Sequence, residues 1–130
     1  MIKRYSRKEL TSIWDEENKY RIWLNIEIAA AQGMEKIGLI PRGVARTVKA
    51  KAKINVKRIH AIEEKVQHDV IAFLTSITEK VGPKGKFLHQ GMTSSDVLDT
   101  CFNIQLTQAA KILLKDINEI LKIIKKQAKK

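Results

Sequence analysis

Apolar residues in this chain recur at steps of three and four, and no segment alternates at a step of two. Tyr20, Trp23, Leu24, Glu27, Ala31 and Met34 keep that rhythm with Ile28 beside them, which predicts a helix from about Glu16 to Ile37. Gly38 suits its C-cap, and Pro41 marks a break or the first turn of the next helix. Ser6 and Glu9 have capping-box spacing, so a short helix is expected to start at Ser6. Arg42 to Lys53 reads as a short basic helix, and Asn55 as an N-cap for a face made by Ile59, Ile62 and Val66. The pattern shifts at Gln67 to Asp69. Val70, Phe73, Leu74, Ile77 and Val81 then form another stripe that ends at Gly82-Pro83, as one helix or as two joined near His68. Lys84 to Met92 reads as a loop.

From Ser94 to the end the pattern is that of a single long helix. Leu106, Ala110, Leu113, Ile117, Ile120 and Ile124 recur at alternating steps of four and three, as along a helix-bundle seam. Ile112, Leu121 and Ile123 widen the stripe, so more than one partner helix is implied. A helix of about 35 residues is roughly 50 Å long and protrudes from a domain built by the preceding segments. The expected fold is all-α, with residues 1–92 forming a helical domain with substrate-binding loops and residues 93–130 beginning a helical bundle. Its apolar seam is expected to drive self-association or to bend the helix back, because large apolar patches are rarely left in water.

Composition narrows the class. With 130 residues, 44% hydrophobic and 30% charged, the chain suits one domain with a sizeable core and is not disordered. No uncharged apolar run approaches the roughly 18–20 residues that span a bilayer, and MIKRYSRKEL has no apolar signal core, so a cytoplasmic protein without a membrane partner is expected. Cys101 is the only cysteine, lies in the apolar rhythm of the long helix, and reads as a small buried hydrophobe. His60, His68 and His89 lack paired metal-ligand spacing, so no metal is expected. The net charge of +11 comes from scattered lysines with no interleaved aromatics, which reads as a solvated basic surface ahead of a nucleic-acid stripe.

The densest chemistry lies in FLHQGMTSSDVLDT, Phe87 to Thr100. It combines a histidine, a glycine, three successive hydroxyls and two carboxylates, and runs directly into the long helix. A helix N-terminus presents free N–H groups and partial positive charge, so it suits an anionic ligand. Thr93 and Ser94 can cap that helix or grip a carboxylate, and Asp96 completes a capping-box spacing with Thr93. A capped helix after a glycine turn explains part of this segment, although the set exceeds what one cap requires.

Here the chain resembles the adenylosuccinate lyase family of the fumarase/aspartase superfamily. IKRYSR is similar to the family's opening Arg-Tyr-Ser motif, VQHDVIAF to its His-Asp-Val segment, and FLHQGMTSSDVLDT to its His-x-Gly-x-Thr-Ser-x-Asp-x-x-Asp-Thr segment. The intervening IWLNIEIAAAQGMEKIGLIP also reads like the family, so the resemblance covers essentially the whole chain.

The resemblance implies elimination of fumarate from adenylosuccinate, giving AMP, and from the succinyl carboxamide ribotide of purine synthesis, with no metal or organic cofactor. Such a reaction needs a base, an acid for the leaving nitrogen and donors for developing negative charge. The resemblance places Arg4 and Tyr5 on the nucleotide phosphate, where the arginine fork suits an oxyanion. It places Gln67, His68 and Asp69 along the nucleotide, His68 also as an auxiliary in proton movement, His89 close by, and Thr93 and Ser94 on a succinyl carboxylate. Gln67 stands where many members carry a basic residue. Asp99 and Thr100 read as structural. Without the resemblance, Arg4 and Tyr5 read as a frayed terminus, His68 as a satisfied junction histidine and Asp69 as an N-cap.

Family members are longer. They carry a Thr-His pair that supplies the acid and a Ser-Ser-x-Met-Pro-x-Lys-x-Asn-Pro loop that supplies the base, and they assemble shared active sites in a homotetramer. Neither segment occurs here, so the chain is expected to be an N-terminal portion without turnover of its own. A different superfamily lyase is the first alternative, opposed by the phosphate-type motifs at Arg4-Tyr5 and His68-Asp69. A small basic module for nucleic acid or an acidic partner is the second. Binding of that kind is steeply salt-dependent. The expected result of a gel-shift series at low salt is no retardation of DNA or RNA, and retardation that weakens with salt would favour the second alternative.

Overall fold

The computed structural model describes residues 3–130, so Ile2 of the IKRYSR motif lies outside the described residues. Six α-helices follow one another: α1 (Lys8–Thr11), α2 (Glu16–Lys36), α3 (Val44–Lys51), α4 (Val56–Val66), α5 (Asp69–Val81) and α6 (Ser94–Gln127). Short 3-10 turns occupy Lys3–Tyr5, Ser12–Trp14 and Pro83–Phe87. The all-α expectation holds, with no strand among the described residues. No helix among them is long and apolar enough to cross a membrane.

The core is where α2, α4 and α5 meet. Tyr20, Trp23 and Phe73 are each buried to 1% exposure or less, so the predicted stripes of α2 and α5 are the stripes that face inward. Tyr20 stacks on Phe73 at 5.8 Å between ring centroids, and Trp23 meets Phe73 edge-on at 5.4 Å. Each such pair adds about 0.5–1.5 kcal/mol beyond area burial. Ile59, Ile62, Val70, Ile77 and Val81 complete this centre, while Ile40, Val44 and Val48 bring in α3.

The helix starts and stops have local causes. Asn55 caps α4, its side chain accepting from the Arg58 N–H at 3.0 Å, as expected. Glu35 at the end of α2 caps α3 from a distance: its carboxylate accepts from the N–H groups of Ala45 at 2.6 Å and Gly43 at 3.1 Å. Those two bonds, the Ala45 bond foremost, hold its carboxyl below the usual carboxylate range. Gly43 itself sits at φ 84°, a left-handed N-cap that shortens α3 relative to the expected Arg42 start. Gln67, at φ 51° and ψ 37°, ends α4 and resolves the predicted break into two helices.

Three expectations are corrected. α1 starts at Lys8 with Arg7 as its N-cap, not at Ser6, because the extended Arg7 carbonyl accepts the N–H groups of Leu10 and Thr11. The Glu9 carboxylate is held by the Arg7 guanidinium at 2.6 Å. The N-cap of α5 is His68, whose Nδ1 accepts from the Ile71 N–H at 3.4 Å, with Asp69 as the first helical residue. The first residues of the expected Lys84 to Met92 loop belong instead to the 3-10 turn Pro83–Phe87, started by a proline whose fixed φ suits a first turn. At Gly85 in that turn a Cβ would come within 2.7 Å of the Thr78 side chain, so the approach to α5 requires glycine.

α6 is anchored over its first third and exposed beyond. Val97, Cys101 and Gln105, spaced by four, are its buried residues. Gln105 Nε2 donates to the Ile13 carbonyl at 2.7 Å, and Asn18 Nδ2 donates to Gln108 Oε1 at 3.1 Å. Farther out, Asp116 pairs with Arg7. Leu106, Leu113, Ile117, Ile120 and Ile124 of the predicted seam are exposed, at 43% to 60%. The helix does not bend back; it is unbroken over 34 residues.

Truncation of the central ring tests this assignment of the core. Phe73→Ala is expected to destabilise the chain by about 3–5 kcal/mol in chemical denaturation followed by circular dichroism. Phe102→Ala, on the half-exposed side of α6, is expected to cost well under half of that.

Candidate functional site

The hydroxyl-rich segment does open α6. Thr93 is the N-cap, in extended conformation, and Ser94 is the first helical residue. The Thr93 N–H donates to Asp96 Oδ2 at 2.9 Å within a capping box. As at any helix start, the N–H groups of the first turn, including those of Ser94 and Ser95, have no intrahelical acceptor. Ser94 is half-buried and Ser95 is exposed. The result is a donor-rich tip whose positive end is shared with one carboxylate, that of Asp96.

The turn before this tip is anchored from beneath. His89 sits at φ 61°, a left-handed conformation uncommon outside glycine. One carboxylate holds it there: Glu27 Oε2 accepts from the His89 N–H at 2.8 Å, and Glu27 Oε1 lies 2.6 Å from His89 Nδ1. Glu27 is 1% exposed and the His89 side chain 19%. A buried carboxylate is costly unless bonded, and these two contacts supply the bonding. The loop and α2 are therefore joined through a polar pair inside the core boundary.

The second motif lies at the α4–α5 junction. Gln67 and His89 are the two non-glycine residues with positive φ among the described residues, and both belong to predicted site segments. Strained conformations of this kind cluster at functional sites. The Gln67 surface forms a groove of about 460 Å³ with His60, Glu63 and Glu64. His68 Nδ1 is 3.6 Å from Asp69 Oδ1, and both side chains are partly exposed. The junction is acidic on its α2 side. Burial pushes the Tyr20 phenol up to about 12, and the carboxylates of Glu16, Glu63 and Asp69 push it the same way. His60 Nε2 is 2.8 Å from Glu16 Oε1.

The third motif is on the N-terminal turn. The Arg4 guanidinium lies 4.8 Å from the centroid of the Tyr5 ring, and Tyr5 is 75% exposed. Arg4 with Tyr5, His68 with Asp69, and Thr93 with Asp96 are thus local pairs, and no ion pair among the described residues links one motif to another. Burial raises the Cys101 thiol, in keeping with a packed rather than a reactive residue.

Sequence reasoning missed Glu27 as a site residue. Its signal was present: an acidic side chain four residues after Trp23 and seven after Tyr20 lies on the inward stripe of α2, where a carboxylate needs a partner.

A family model described as "Lyase" matches residues 3–130. The chain belongs to this lyase family. It is similar to the adenylosuccinate lyase of Thermotoga maritima, 43% identical over 95% of the chain. The adenylosuccinate lyases of Bacillus subtilis and Aquifex aeolicus are each 41% identical, over 99% and 98% of the chain. The resemblance drawn from the three motifs is borne out. The chain spans 29% to 30% of the length of these curated relatives. Its fold matches the crystal structure of a fumarate lyase from Mesorhizobium sp. BNC1 with a TM-score of 0.80, at 21% identity, over 91% of this chain and 30% of that one. In this lyase chain, the segment that opens α6 is expected to be as important to stability as to any ligand. Asp96→Ala, which removes the acceptor of the Thr93 N–H, is expected to cost about 0.5–2 kcal/mol in thermal or urea unfolding, as cap losses do. Asp99→Ala, one turn into the helix, is expected to stay within about 0.5 kcal/mol.

Proposed function

We propose that this chain forms the substrate-binding part of a carbon–nitrogen lyase that eliminates fumarate from adenylosuccinate, giving AMP, and from the related succinyl carboxamide ribotide. The observation that carries this reading is identity of 41% to 43% with three adenylosuccinate lyases over nearly the whole chain. The geometry supports it where the chemistry requires donors. Thr93 and Ser94, with the first N–H groups of α6, suit a succinyl carboxylate, which gains negative charge as the proton leaves the adjacent carbon. Arg4, on an exposed turn, suits the nucleotide phosphate. Gln67, His68 and Asp69 suit the wall along the nucleotide. The carboxylates around Gln67 favour His68 over Gln67 as the donor to an anion there.

The proton-handling groups are assigned elsewhere. The sequence holds no Thr-His pair and no serine-bearing Ser-Ser-x-Met-Pro loop, so these 130 residues bind and orient substrate without turning it over. In the longer family members the exposed seam of α6 would pack into a helical bundle shared between subunits of a homotetramer. A soluble, cytoplasmic setting in purine biosynthesis accords with this assignment.

Amide NMR of the labelled chain titrated with adenylosuccinate tests the reading and tolerates weak binding. The expected shifts lie at Thr93 to Asp96 and at His68 and Asp69, with no fumarate released into the sample. Shifts confined to the lysine-rich end of α6, or none at millimolar ligand, would overturn the assignment.

A further inference from the structure

We infer that Glu27 is a positioning residue that fixes the proton of His89 on Nδ1, so that Nε2 is the one ring nitrogen able to gain or lose a proton at the site. Glu27 grips His89 at two points. Its Oε2 takes the backbone N–H at 2.8 Å, and its Oε1 lies 2.6 Å from Nδ1. The contact between Oε1 and Nδ1 needs one proton between them. A carboxylate has only acceptor oxygens, and the other oxygen of Glu27 already accepts the His89 N–H. The proton therefore resides on the nitrogen, as Nδ1–H donating to Oε1. Which nitrogen of a histidine is available is set by the bond that the other one makes.

Burial makes the grip directional. Glu27 is 1% exposed and lies on the inward face of α2, beside Trp23 and Ala31 in the core. The left-handed backbone at His89 (φ 61°) is held by the same carboxylate that holds the ring, so turning the ring breaks a bond to a buried charge. Among the described residues Glu27 is the one charged group bonded to His89. With Nδ1 committed, a neutral His89 offers Nε2 as an acceptor and a protonated His89 offers it as a donor to an anion. The use of Nε2 on a substrate rests on the proposed function; the placement of the proton does not.

Nitrogen NMR of the histidine rings in the ligand-free chain, with the rings neutral, tests the inference independently of any substrate. The wild type is expected to show the bare, pyridine-type nitrogen of His89 at Nε2. In Glu27→Gln the amide oxygen is needed by the His89 N–H, which turns the amide NH₂ toward Nδ1. The pyridine-type signal is then expected to move from Nε2 to Nδ1. A wild-type spectrum with Nε2 protonated, or a Glu27→Gln spectrum with an unmoved signal, would overturn the inference. Should Glu27→Gln lose its helical circular dichroism, the wild-type spectrum alone decides between the two tautomers.

Discussion

A single buried carboxylate sets the relation between core and site in this chain. Glu27 lies in the middle of α2, on the face that packs the aromatic centre, yet both of its oxygens are committed to His89 in the loop before α6. Water cannot substitute for those partners at 1% exposure, so the loop must return to one place for the helix to remain buried. The position of the α6 tip, four residues further along, follows from that requirement. The cost of a buried charge is thereby turned into precision at a loop that Leu88 also anchors in the core, with Phe87 and Met92 packed against it.

Around this pair the fold is arranged by ordinary packing. The rings of Tyr20, Trp23 and Phe73 join α2 to α5, and the valines and isoleucines of α3 and α4 enclose them. Side-chain caps reach across the chain as well as along it. Glu35 closes the start of α3, and Lys84 Nζ donates to the Gly43 carbonyl at 3.2 Å, tying the 3-10 turn before the site to the same point. The site loop is thus held at its start by α3 and at its middle by α2, while its end is the capped helix itself.

α6 belongs to two environments. Its first third is part of the domain, through Val97, Cys101 and Gln105. Its remainder carries an apolar stripe wider than one seam and exposed to solvent. The chain spans about three-tenths of the length of its curated relatives, and the stripe is of the kind that helices in a bundle bury against one another. The hydroxyl-rich tip therefore opens a helix that is fastened to the domain at that end and carries its exposed apolar stripe farther along.

Much of this was legible in the residue order. Periodicity located the helices, because a face of spacing three and four must be buried somewhere, and the capping chemistry of Asn55, Thr93 and Asp96 marked starts that depend on adjacent residues alone. The hydroxyl-rich tip was legible for the same reason. Arg7 was not: it displaced Ser6 as the cap of α1, with its side chain drawn to Glu9 and to Asp116, over a hundred residues away. Glu27 was counted in the stripe, but its partner was not identifiable, since no local rule pairs a carboxylate with a histidine 62 positions on. The sequence by itself determined which segments are helical and which carry donors. Only the tertiary structure decided that His89 faces a buried charge and that Glu16 of α2 reaches His60 beside the α4–α5 junction, because those contacts are made by side chains that approach through space rather than along the chain.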